Sequence, residues 1–244
     1  MNTSQPSSRL VTWCGRLALF FLILVPLSVL AVRTGAVNFS VGLPVFALSC
    51  LASLVVLIVL AVVSLLPTFK PFRKQALVKS LIALPPVLLL GALLGSSGDY
   101  PPIHDVSTDP DDTPIFTSAV IGLRGSDSNS VEINPDAIAA QREHYPDLQT
   151  IILPVSAPEA FAEVSEVAET MGWVINNSDS NLGLLEASYT SFWFGFVDDI
   201  IIRVRPLDGD AGSEVDLRSV SRVGVSDLGA NARRIRAFSR QLAD

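Results

Sequence analysis

Asp198 and Asp199 open the run Val197-Asp-Asp-Ile-Ile-Ile-Arg-Val-Arg-Pro206, and paired carboxylates are what acid–base or metal chemistry requires. The β-branched run after them predicts a strand with Ile200, Ile202 and Val204 on one face and Arg203 and Arg205 on the other. Adjacent strand residues point to opposite faces, so the two acids cannot form a close dyad without a bulge. One reading makes the protein a hydrolase-like enzyme in which one acid faces a cleft, assisted by Arg203, Arg222 and Asn231. The other pairs the acids across a hairpin with Arg218 or Arg222, which is worth little if exposed.

A second constellation is Arg222-Val-Gly-Val-Ser-Asp-Leu-Gly-Ala-Asn231. A glycine-bearing turn at a helix N-terminus, with Arg222 beside it, suits a phosphate or carboxylate group. Asp227 opposes that reading, because as a cap it would occupy the amides and repel an anion. Ser226 or Asp227 then closes the helix end, and Asn231 and Arg234 tie helix to sheet. The third constellation is aromatic: Tyr189, then Phe192, Trp193, Phe194 and Phe196. Five bulky neighbours cannot all face one core, so some meet a helix, an apolar ligand, lipid or a partner.

Other chemistries find no support. His104 and His144 lie in unrelated segments, and Asp105, Asp109, Asp111 and Asp112 do not match a calcium loop. A solvated acidic strap is the expectation there, with no metal and no cofactor. Neither a nucleophile elbow nor a phosphate-binding glycine loop is present.

The elements that position these residues are legible in outline. The segment 97–118 reads as an extended acidic strap, pinned by Ile103, Val106, Ile115 and Phe116. Asn134-Pro135 starts a short helix to about His144. Ser156-Ala-Pro-Glu159 is a capping box for a helix carrying Phe161, Val164, Val167, Ala168 and Met171, closed by Gly172. Strands are expected at 173–175, 182–191, 197–206 and 214–222, with turns at 176–181 and 208–212. Leu228, Ala232, Ile235, Phe238 and Leu242 mark the buried stripe of a last helix. The class is α+β, an antiparallel sheet covered by helices, over 119–244.

Residues 1–96 are a different regime. No Asp or Glu occurs before residue 99, while residues 99–244 hold all 24 acids, ten Arg and no Lys, a balance of −14. Three apolar runs, about 17–32, 41–66 and 80–95, predict transmembrane helices without an ionisable group, the third kinked by Pro85-Pro86. Uncharged spans disfavour a transporter. The first run reads as a retained helix rather than a cleaved signal peptide, since no A-x-A site follows it. Lys70, Arg73, Lys74 and Lys79 crowd one loop against Arg33 alone in the other. With Arg9, Arg16 and the terminal amine, they place the N-terminus in the cytoplasm and the acidic domain outside, the periplasm in a bacterium whose cytoplasmic (inner) membrane holds the chain. The expected partners are the lipid bilayer and an envelope protein or lipid-like ligand. The acidic domain has no footprint for nucleic acid. Cys14 and Cys50 both precede residue 97, which excludes a disulfide framework in the domain.

Two long motifs in the second half, Phe194-Gly-Phe-Val-Asp-Asp-Ile-Ile-Ile-Arg-Val-Arg-Pro206 and the run from Val215 to Phe238, resemble the domain of unknown function 1499 family. His104-Asp-Val-Ser-Thr-Asp109, Tyr145-Pro-Asp147 and Met171-Gly-Trp173 are similar too, so the resemblance covers about residues 100–242. Thr113-Pro114 departs from it, standing where two prolines are expected. The resemblance implies membrane-anchored relatives in bacteria and plastid ones in plants and algae. It brings no reaction and no catalytic residues.

Overall fold

A computed structural model describes residues 8–95, 98–208 and 212–243. The terminal amine, the first residue of the strap and the centre of the 208–212 turn lie outside these. The chain divides into two compact units, Met1–Gly98 with Trp193–Gly195, and Asp99–Phe192 with Phe196–Asp244.

In the first unit, helices α1 (Arg9–Arg33), α2 (Phe39–Leu65) and α3 (Arg73–Gly95) are each long and apolar enough to cross a bilayer. Asn38 starts α2 by accepting the Ser40 N–H at 2.9 Å. The helices touch through small residues: Ala18, Ala76 and Ala83 are buried, and a Cβ at Gly15 or Gly42 would strike Lys79 or Val32. Two helices start well before their apolar runs, because hydropathy marks the lipid-soluble stretch and not where the backbone ladder begins. The consequence is a correction. Arg73, Lys74 and Lys79 lie within α3, where Lys79 Nζ donates to the Val11 carbonyl at 3.0 Å and Arg73 Nε to that of Ser64 at 2.6 Å. Pro85 and Pro86 lie inside the same helix.

The second unit is α+β. Its strands are β1 (Asp105–Ser107), β2 (Ile151–Leu153), β3 (Val174–Asp179), β4 (Leu184–Thr190), β5 (Val197–Pro206) and β6 (Ser213–Ser221). The sheet is antiparallel in the order β1-β6-β5-β4-β3. β2 lies end to end with β1 along β6, pairing at Val215–Ser213 while β1 pairs at Val220–Arg218. The helices are α4 (Ser118–Ile121), α5 (Pro135–His144), α6 (Ala157–Thr170) and α7 (Ala230–Ala243). The capping box of α6 is formed: Glu159 accepts from the Ser156 N–H at 3.0 Å and hydroxyl at 2.6 Å, and Gly172 closes the helix at φ 71°.

The two sheet faces are chemically unlike. One carries Leu185, Ala187, Ile200, Ile202, Val204, Val215 and Leu217 against Phe161, Val164 and Ala168 of α6 and Ala232, Ile235 and Phe238 of α7. Trp173 stacks on Phe238 with ring centres 5.3 Å apart. The other face carries Ile201 and Val220 against Phe116, Val120 and Val131, surrounded by buried Glu186, Asp199, Asp216 and Arg218. Segment 108–133 covers it.

Three expectations change. Asn176–Asp179 continue β3 instead of turning, and the Asn177 amide donates to Glu186 of β4 at 3.0 Å. Ile115 is exposed, so Ile103, Val106 and Phe116 do the pinning. The strap is not solvated as a whole: Asp105 and Asp109 are tied to strand arginines, and only part of its acid faces water.

Candidate functional site

The acid pair divides between the faces. Asp198 points to the helix face, where its carboxylate accepts from Arg234 Nη2 of α7 at 2.5 Å. Arg234 also donates to Ser219 Oγ at 2.9 Å and to Asn231 Oδ1 at 2.5 Å, and lies 4.7 Å from the Tyr189 ring centre. Asn231 binds the His104 carbonyl and Ser221 Oγ through Nδ2, at 3.0 and 3.1 Å, and accepts Ser219 Oγ at 2.8 Å. All its side-chain groups are used in joining α7 to β6 and to the start of β1.

Asp199 points the other way and is fully buried. It accepts from Arg222 Nη2 at 2.7 Å and Nε at 3.0 Å, and from Arg124 Nη1. Burial lowers the pKa of Arg124 from its ordinary value, and the Asp199 charge opposes that. Arg222 Nη1 donates onward to the Leu123 carbonyl at 3.0 Å, so the triad staples the loop before α5 to the strand ends.

The same face continues toward the far end of β5 and β6. Asp216, also fully buried, accepts from Arg203 Nη2 at 3.0 Å, Arg205 Nη2 at 2.9 Å and Thr150 Oγ1 at 2.6 Å. Arg203 and Arg205 reach Asp112 at 3.1 and 2.7 Å, which holds that carboxyl below its usual range. Arg218 is buried: Nε and Nη2 fork onto Asp105 at 3.0 and 2.7 Å, and its remaining donors take the Pro114 and Val131 carbonyls at 3.1 and 2.7 Å. Glu186 accepts the Thr117 N–H at 2.6 Å and hydroxyl at 2.5 Å.

The glycine turn is occupied by its own chain. Asp227 accepts the Gly229 and Asn231 N–H groups at 2.8 and 2.7 Å, and Ser226 Oγ accepts the Leu228 N–H at 3.2 Å. Burial raises the Asp227 carboxyl above its ordinary value. A cap thus fills the position an anion would take.

The aromatic run scatters. Tyr189 packs against the helix-face core, Phe192 and Trp193 are exposed, and Phe194 and Phe196 are half-buried in the β4–β5 loop. A cavity of about 280 Å³ opens beside β1, lined by His104, Asp105, Asn129, Glu132 and Asp136 among others. Among the described residues no three His, Cys, Asp or Glu side chains converge as a metal group.

The structure therefore joins Asp199 with Arg222, and Asp198 with Arg234 and Asn231. It separates these two groups across the sheet and sends Arg203 to Asp216 and Arg218 to Asp105. Sequence reasoning missed Arg124, Asp216, Asp105 and Glu186. One signal was available: Arg203, Arg205 and Arg218 on strands require acids, and the strap is where acids are dense.

No curated protein matches the chain. The family model described as Protein of unknown function (DUF1499) matches residues 105–242, spanning the sheet, its helices and both ionic clusters. More than half of the chain is covered by that match, and the protein belongs to the DUF1499 family.

Proposed function

We propose that this protein is a non-catalytic, membrane-anchored binding module. Its acidic domain stands outside the cytoplasmic membrane, in the periplasm of a bacterium, and takes an envelope protein or a small lipid-like amphiphile beside the aromatic loop 191–196. The observation that carries the reading is the commitment of the reactive side chains. Asp199 and Asn231 spend their side-chain groups inside the fold, and Asp198, Arg203 and Arg222 are each bonded there, while the Phe192 side chain is largely exposed. A general base needs a lone pair within reach of substrate, and Asp199 has both oxygens on guanidinium groups under full burial. The outward orientation rests on the excess of Lys and Arg around α3 over the α1–α2 loop.

Purifying the full chain from native membranes in mild detergent tests the binding reading, with lipid extraction for mass spectrometry and in-membrane crosslinking through residues near Phe192. A stoichiometric amphiphile or a crosslinked partner is expected. Recovery of neither overturns the reading. A reporter enzyme fused after Asp244 tests sidedness, and activity confined to the cytosol overturns the orientation.

A further inference from the structure

Several features level with one another define one end of the sheet. Thr190 of β4 faces Val197 of β5, Asp198 faces Ser221 of β6, and Asp105 of β1 faces Val220. The loops leaving these positions are bonded together. The Arg222 N–H takes the Val197 carbonyl at 2.9 Å, the Asp227 N–H takes that of Ile103 at 3.0 Å, and Asn129 Nδ2 takes that of Gly224 at 2.8 Å. This end presents large apolar side chains to solvent: Phe192 is 78% exposed, Val225 77%, Leu228 60%, and Leu123 and Ile121 about half. Leu228 is also the one non-glycine residue among those described with positive φ, at 52°, a conformation that leucine adopts only at a cost.

We infer that this rim (Ile121, Leu123, Phe192, Val225 and Leu228) is a lipid-contact surface that dips into the headgroup layer of the bilayer in which α1–α3 are anchored. The occupant follows from the chain itself. Helix α3 ends at Gly95, and Tyr100 is already fixed at the rim, 5.5 Å beneath Arg233 and against Gly229, where a Cβ would meet its ring at 2.6 Å. Tyr100 follows Gly95 by five residue steps, a contour of at most about 18 Å, so the chain that leaves the membrane helices enters the domain at this rim. Electrostatics is not the attraction. The domain carries a balance of −14, and Arg124 and Arg222 at this end are spent on Asp199. Apolar burial is what remains, and it favours neutral lipid and tolerates salt. The proposal rests on the membrane-anchored reading above and holds whichever side the domain occupies.

The test uses the full chain carrying Cys14→Ala and Cys50→Ala, one copy per phosphatidylcholine nanodisc. A single new cysteine, Val225→Cys or Leu182→Cys, takes a nitrobenzoxadiazole label. Leu182 is also largely open to solvent, 67% exposed, but lies in the β3–β4 turn at the opposite end of the sheet. The label at 225 is expected to emit to the blue of the label at 182 and to lose about half its intensity to doxyl-labelled phosphatidylcholine, at low and at high salt, while the control is unaffected. Adding Leu123→Ser and Leu228→Ser, both exposed, should reverse the shift and the quenching with thermal unfolding unchanged. A label at 225 as wet as the control overturns the proposal. So does a blue shift without doxyl quenching, which would mean that protein covers the rim. Failure to recover a ligand or partner would sink the function proposed above and leave this contact standing.

Discussion

Replacing Asp199 by Asn separates a structural acid from a catalytic one. The substitution keeps the shape and removes the charge from a fully buried carboxylate that Arg124 and Arg222 share. Arg124 then suffers most, because its side chain is 6% exposed and cannot turn to water, whereas Arg222 at 19% is partly rehydrated. Removing one partner of a buried pair costs about 3–5 kcal/mol, chiefly the penalty on the charge left behind. A domain of this size loses about 2–4 °C for each kcal/mol, so the melting temperature should fall by about 6–20 °C. The assay is thermal unfolding of the full chain in detergent, followed by the fluorescence of Trp173 where it stacks on Phe238. Adding Arg124→Gln should cost less than the sum of the two single changes, since the second removes the stranded charge. Asp111→Asn is the comparison: its 2.5 Å pair with Arg142 is 83% and 53% exposed, and its loss should cost about 0–1 kcal/mol. An Asp199→Asn protein that melts with the parent yet loses a cellular phenotype would refute the structural account and restore Asp199 as a site residue.

Arg218→Met should free the strap, because Asp105, Pro114 and Val131 all lose their donor; limited proteolysis should cut within 108–133 several times faster than in the parent. Gly183→Ala should destabilise by about 1–3 kcal/mol, since the residue holds φ 63° and a Cβ would collide with the Val204 carbonyl; denaturant unfolding measures it. Hydrogen bonds from Arg236 hold the Asp147 carboxyl below its ordinary value, so this pair's contribution is present above the unfolded value near 3.8 and lost as pH falls through the lower folded value. Asp147→Asn should therefore flatten the acid limb of a melting-temperature profile. Asp227 has the opposite sign: burial raises its pKa, so its ionisation weakens the fold as pH climbs from about 3.8 to the raised value, and Asp227→Asn should remove that slope.

What could be read in the sequence was what local residues decide. The Ser156–Glu159 box, Gly172, the Ile200–Val204 alternation and the stripe Ala232, Ile235, Phe238 and Leu242 of α7 are where they were expected. Leu228, expected in that stripe, precedes the helix and is exposed, because α7 starts only at Ala230 after a turn that holds Leu228 at φ 52°. The three apolar runs predicted three long helices, though not the charged first turns of α1 and α3. Strands β1 and β2 were not legible, because three residues carry no periodicity and both exist only by pairing with β6, more than fifty residues later. Asn176–Asp179 has the composition of a turn and becomes strand only because β4 offers partners across the hairpin. For the candidate site, strand alternation foretold that Asp198 and Asp199 face apart, and the Asp199–Arg222 pairing was among the alternatives. Arg124 was out of reach: it is one arginine in a polar loop, 75 residues from the carboxylate it meets.

The residue types that invited a chemical reading are the same ones that close the second face of the sheet. An antiparallel sheet with helices on one side has a second side that must face water or be covered. Here the cover is segment 108–133, whose Ile115, Ile121, Leu123 and Ile133 are exposed, so Phe116, Val120 and Val131 supply only a small apolar patch. Strand arginines solve that problem: buried Arg218 takes Asp105 together with the Pro114 and Val131 carbonyls, and Arg203 takes the Asp112 carboxylate and carbonyl. Paired in this way, Asp199, Asp216 and Arg218 tie the cover to the sheet. With one face filled by helices and the other by this lattice, the exposed apolar side chains at the sheet end, from Leu123 to Leu228, are where the proposed lipid contact falls.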